Sequence, residues 1–90
     1  MSEQAIQRGI LKYLKSLPDC WVVKTVTCNI NGVPDILVCY KGRFISFEVK
    51  TPSGRISPIQ AYQMKRIEAA GGRAFVVRSF PEVQALLQEL

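Results

Sequence analysis

Residues 44–60, FISFEVKTPSGRISPIQ, form an apolar run that ends in two charges and opens into a loop with its own helix-start signal. Side chains of an extended chain alternate between faces, so Ile45, Phe47 and Val49 share one side and Ser46, Glu48 and Lys50 the other. The first set is a core face. The second places a carboxylate beside an ammonium on a sheet that helices are expected to cover on both faces, where an isolated charge is costly. Beyond the Gly/Pro/Ser loop, Ser57-Pro58 reads as an N-cap followed by a first-turn proline. Ser57 and Gln60 also have capping-box spacing.

Upstream, DILVCY (35–40) and RFISFEVK (43–50) read as an antiparallel hairpin joined at Lys41-Gly42. WVVKTV (21–26) is a further strand, bounded by Pro18-Asp19 and Asn29-Ile30-Asn31-Gly32. In residues 3–17, Ile6, Ile10, Tyr13, Leu14 and Leu17 recur at helical spacing between an N-cap at Ser2 and a stop at Pro18. Downstream, the helix opened by Pro58 runs to Ala70 and stops at Gly71-Gly72. RAFVV (73–77) is a fourth strand, and a last helix starts near Ser79-Phe80-Pro81-Glu82 with Val83, Leu86, Leu87 and Leu90 as its apolar stripe.

This order predicts an α/β fold in one domain, 1–90, with a mixed four-stranded sheet flanked by helices. A strand, helix, strand unit favours a right-handed parallel crossover, so the fourth strand should run parallel to the third. The expected core is Ile36, Val38, Ile45, Phe47 and Val76.

Twelve Lys and Arg against seven Asp and Glu give the 90-residue chain a net charge of +5, which attracts a polyanion and makes nucleic acid the leading partner class. The absence of histidine removes the commonest general base and leaves carboxylates, lysine or metal-activated water as the available chemistry. Cys20, Cys28 and Cys39 are odd in number and lack Cys-x-x-Cys spacing, so they read as buried or neutral thiols. No apolar stretch approaches a membrane span, and the N-terminus has no signal-peptide pattern. A cytosolic protein is expected.

The turn GVPD (32–35) delivers Asp35 to the start of the strand next to Glu48. Neighbouring strands lie ~4.8 Å apart, so Asp35 and Glu48 are candidate ligands for one divalent cation, Mg2+ or Mn2+. Lys50 alone neutralises only one of the two charges. Such a site activates water and polarises a phosphoryl oxygen while the ammonium stabilises growing charge. Each residue also has a plainer reading: Asp35 as an Asx turn, Glu48 and Lys50 as a solvated pair, Gln60 as a cap.

Pro34-Asp35 followed 13 residues later by Glu48-Val49-Lys50 resembles the PD-(D/E)XK nuclease superfamily. NGVPDILVCYKGRFISFEVKTPSGRISPIQ (31–60) is more narrowly similar to the VRR-NUC family, with its G-x-P-D turn, E-V-K strand end and following glutamine. The resemblance implies a restriction-endonuclease-like αβββαβ core and a Mg2+- or Mn2+-dependent DNA endonuclease, structure-specific in the manner of Holliday-junction resolvases. It implies Asp35, Glu48 and the Val49 backbone carbonyl as metal ligands, with Glu3 as a further candidate. By the same resemblance Lys50 and Gln60 would be catalytic; read from charge and position, Arg55 in the loop after Lys50 is the best candidate for a phosphate contact, with Lys41 and Arg43 as further DNA-binding candidates, against the plainer reading of a solvated surface. Branched DNA, a homodimer, and a bacterial, phage or prophage origin follow from the same resemblance. The alternative is a DNA-binding or scaffold module that keeps the fold and lacks turnover.

Overall fold

The computed structural model of the chain covers Met1–Leu90. Its elements run α1 (Glu3–Ser16), β1 (Cys20–Lys24), β2 (Ile36–Tyr40), β3 (Arg43–Val49), α2 (Pro58–Ala69), β4 (Arg73–Val77) and α3 (Phe80–Gln88). The sheet order is β1-β2-β3-β4, antiparallel in its first two pairings and parallel in the last. The expected α/β fold with a mixed four-stranded sheet is therefore present. No helix is long and apolar enough to cross a membrane.

Local chemistry explains the boundaries. Ser2 caps α1 by accepting from the Ala5 N–H, satisfying one of the first-turn donors that have no helical partner. Lys41 and Gly42 both take positive φ, 51° and 81°, as a two-residue hairpin turn matched to strand twist demands. Gly71, at φ 98°, ends α2 in a conformation that costs other residues more.

One sheet face carries the core. Ile36, Val38, Ile45, Phe47, Val49 and Val77 are fully buried there with Ile10 and Leu14 of α1 and Val83 of α3. Phe47 stacks on Phe75 at 6.0 Å between ring centroids, and Tyr13 meets Phe80 edge-on at 4.9 Å, tying α1 to α3. At about 25 cal/mol per Å2 of apolar area removed from water, each such side chain contributes roughly 1.5–3 kcal/mol.

Some expectations need correction. Val76 is only half-buried, and Val77 occupies the core. The parallel register pairs Val49 with Val77 and Glu48 with Val76, so Val76 belongs to the opposite, Glu48-bearing face. That face is covered only in part by α2, whose first turn reaches Glu48 through Gln60. Trp21, Cys39 and Phe44, aligned across β1, β2 and β3, stay exposed on it. The cysteines are free, with Cys28 and Cys39 exposed and only Cys20 partly buried.

Candidate active site

Asp35 is held by the turn that precedes it. The Thr25 hydroxyl donates to the Pro34 carbonyl at 2.9 Å and the Thr25 N–H to the Asp35 carbonyl at 2.8 Å, prolonging the β1–β2 pairing into the GVPD turn. Gly32 has φ 83°, and a Cβ there would lie 2.7 Å from the Ile59 carbonyl oxygen. The turn thus packs directly on the first turn of α2, and only glycine allows that approach. One step beyond the Ile36–Phe47 pair of the register, Asp35 falls beside Glu48. Its Oδ2 accepts from the Val49 N–H at 2.8 Å and so makes a cross-strand bond where an Asx turn was one reading. Because a strand residue directs its N–H and C=O to the same side, the Val49 carbonyl faces this side too.

Glu48 is only 2% exposed, which removes the reading of a solvated pair. Its Oε2 accepts from Gln60 Nε2 at 3.2 Å and lies 3.8 Å from Lys50 Nζ, while its buried Oε1 has no hydrogen-bond partner. Burial first, then the charge of Asp35, push the Glu48 carboxyl from 4.5 up to about 8. The more remote Glu3 acts in the same direction, and Lys50 opposes them. Two carboxylates thus share a site with too little positive charge to ionise both easily.

Lys50 lies one residue past β3. Its N–H donates to the Val77 carbonyl at 3.0 Å, extending the β3–β4 ladder and keeping its side chain on the Glu48 face. Gln60 caps α2 as its spacing predicts and also reaches Glu48. Its Oε1 accepts from the Ser57 N–H at 2.8 Å and its N–H donates to Ser57 Oγ at 3.2 Å, which leaves Nε2 for Glu48. Capping orients the amide toward the carboxylate.

Glu3, in the first turn of α1, is near enough to influence Glu48, but no cluster of three acidic, Cys or His side chains forms. Arg55 is exposed on the loop between Lys50 and α2. Lys41 and Arg43 sit at the hairpin turn, the far end of β2 and β3 from Asp35 and Glu48, roughly 16 Å away along a five-residue strand. Lys41 there lies over the Tyr40 ring at 5.2 Å. The largest concavity, about 700 Å3 between α1 and the start of α3, contains neither carboxylate.

Sequence reasoning missed Thr25 and Arg78. Nothing local marks either one, since both act on segments brought to them by strand pairing.

The sequence matches no protein-family model and no curated protein. Among solved structures, one described as "VRR_NUC domain" superposes with a TM-score of 0.82 at 26% identity, covering 98% of this chain and 97% of its own. The chain folds as a VRR-NUC domain. A "VRR_NUC domain protein" shares the fold at 16% identity and a TM-score of 0.80, over 98% of this chain and 86% of that one. Both superpositions run over nearly the whole of this chain.

Proposed function

We propose that this domain is a divalent-metal-dependent DNA endonuclease with Asp35, Glu48 and Lys50 as its central residues. The observation that carries the reading is Glu48: a buried carboxylate whose Oε1 has no partner, beside a second carboxylate and only one ammonium. A buried acceptor left unpaired costs roughly 1–3 kcal/mol, and a hard cation relieves both that deficit and the repulsion. The all-oxygen donor set, Asp35, Glu48 and the Val49 carbonyl, suits Mg2+ or Mn2+. Glu3 is the further candidate, from the adjoining helix.

Bound there, the cation supplies Lewis acidity that acidifies water and polarises a phosphoryl oxygen. The chain's own groups do the rest. Lys50 stabilises charge that develops on the phosphate oxygens and orients the attacking water, at a site where low exposure strengthens its field. Gln60 fixes the rotamer of Glu48 through Nε2 while its cap fixes Gln60 itself. Arg55 meets the flanking phosphate from the loop, and the net charge of +5 steers DNA to the surface. One site per chain suits paired incision of a branched junction when two copies meet about a twofold axis, so the preferred substrate is branched DNA and the working form a homodimer.

The test incubates four-way, flapped and linear DNA with the protein in Mn2+ or EDTA, with calorimetric Mn2+ titration and light scattering alongside. Metal-dependent cleavage, preferring the junction and lost with Mn2+ binding in Asp35→Ala and Glu48→Ala, is expected of a dimer. DNA binding with neither Mn2+ binding nor cleavage would identify a module without turnover.

A further inference from the structure

The segment Thr51–Ser57 links the strand that carries Glu48 and Lys50 to the helix that carries Gln60, and Arg55 lies within it. It has no regular secondary structure, yet it is not loosely tethered. Arg78 follows immediately after β4 and aims its guanidinium into the loop, where Nη1 donates to the Gly54 carbonyl at 2.6 Å and the Thr51 carbonyl at 2.8 Å, with a longer approach of 3.4 Å to the Pro52 carbonyl. The Gly54 N–H closes the turn onto the Thr51 carbonyl at 3.0 Å. A Cβ on Gly54 would stand 3.2 Å from Thr51 Oγ1 and 3.5 Å from Lys50 Cβ, so the folded loop lies against the stem of Lys50.

Arg78 is itself fixed at both ends. Its N–H donates to Glu82 Oε2, a carboxylate that also accepts from the Ser79 hydroxyl, in the first turn of α3. The preceding residue, Val77, accepts from the Lys50 N–H. Arg78 therefore ties the loop to the start of α3, one residue beyond the bond that joins Lys50 to β4.

We infer that Arg78 is a positioning residue that sets the placement of Lys50 by holding the Thr51–Ser57 loop in one conformation. The inference rests on the nuclease reading above. Hydrogen bonds from an ionised donor are about twice as strong as neutral ones, and three carbonyls gathered on one cation need that cation to stay together. Without it the carbonyls turn to water, the loop samples other conformations, and the Lys50 side chain loses the wall against which it packs. A displacement of about 1 Å in a reacting group costs on the order of 100-fold in rate. With Nη1 engaged by the loop, Arg78 acts through the carbonyls it gathers.

The variants are Arg78→Ala and Arg78→Met, the second keeping the apolar stem so that lost packing is separated from lost donors. Single-turnover cleavage of the preferred DNA in Mn2+ should fall roughly 10- to 100-fold at saturating protein in both, with DNA affinity within about threefold of wild type and the same salt slope. In a Lys50→Ala background the Arg78 substitutions should have little further effect, because the group they position is gone. Hydrogen exchange at the Gly54 amide should accelerate while that of β2 and β3 is unchanged. Arg78 variants that cut at the wild-type rate, multiply fully with Lys50→Ala, or reduce the salt slope by one phosphate contact would overturn the inference. A wild-type protein that cleaves nothing would instead overturn the nuclease reading, and the exchange experiment would still report whether Arg78 holds the loop.

Discussion

Glu48→Gln removes one titration from the buried end of the sheet while keeping side-chain shape, and its effect on stability can be worked out in sign and size. The folded carboxyl is pushed up to about 8 from 4.5, by burial and then by Asp35. Between those values the folded chain holds a proton that the unfolded chain has released. Unfolding therefore becomes easier as pH rises through the window: the protonated form contributes its full stability below 4.5, and that contribution is gone above 8. Each tenfold difference in proton affinity between the folded and unfolded chain corresponds to about 1.36 kcal/mol. The full span would give about 5 kcal/mol, and relaxation of the site with entry of water on ionisation lowers the expected loss to roughly 2–4 kcal/mol. For a domain of this size that is a midpoint drop on the order of 10–25 °C. Thermal and urea unfolding in EDTA, followed from about pH 4.5 to about pH 8.5, should show the decline in the wild type and a much flatter profile in Glu48→Gln. At about pH 8, Mg2+ or Mn2+ should restore stability to the wild type and not to the variant, since a ligand bound only by the folded state stabilises it by mass action. Parallel profiles for the two proteins, or a flat wild-type curve, would refute the account of Glu48 as a strained, under-compensated carboxylate.

Gly32→Ala should destabilise the domain by roughly 2–4 kcal/mol, since it combines a left-handed φ of 83° with a Cβ placed 2.7 Å from the Ile59 carbonyl oxygen. Urea unfolding measures it, and a change within about 0.5 kcal/mol, the size of an ordinary surface substitution, would mean that the turn is not packed on α2. Lys50→Ala should leave fold, Mn2+ affinity and most DNA affinity intact while single-turnover cleavage drops by about 100- to 1,000-fold. Equal losses of binding and cleavage would make Lys50 a phosphate anchor.

Sequence alone determined the element order, because the signals involved are local. Alternation in residues 44–50, the Lys41-Gly42 turn, the Ser57 cap and the Gly71 stop each depend on neighbours a few residues away, and each appears in the structure close to its expected position. The same alternation put Glu48 and Lys50 on the face opposite the core. It could not say whether that face was wet. Burial of Glu48 to 2% exposure follows from α2 returning across the sheet and from the GVPD turn closing on Ile59, contacts between segments 27 residues apart in the case of Gly32 and Ile59.

Tertiary structure also decided between readings that the sequence left open. Gln60 is both cap and partner of Glu48, since an amide has separate acceptor and donor ends and the fold supplies a use for each. Asp35 bonds across to Val49 because strand register, which no local signal encodes, places that N–H nearest. Parity in β4 was fixed by parallel pairing with β3, which moved Val77 into the core and Val76 out of it. That pairing also carries Arg78 to the loop after Lys50, 26 residues from Pro52. A lone arginine after a strand has no local signature, and its role exists only because the crossover brings the ends of β3 and β4 to the same edge of the site.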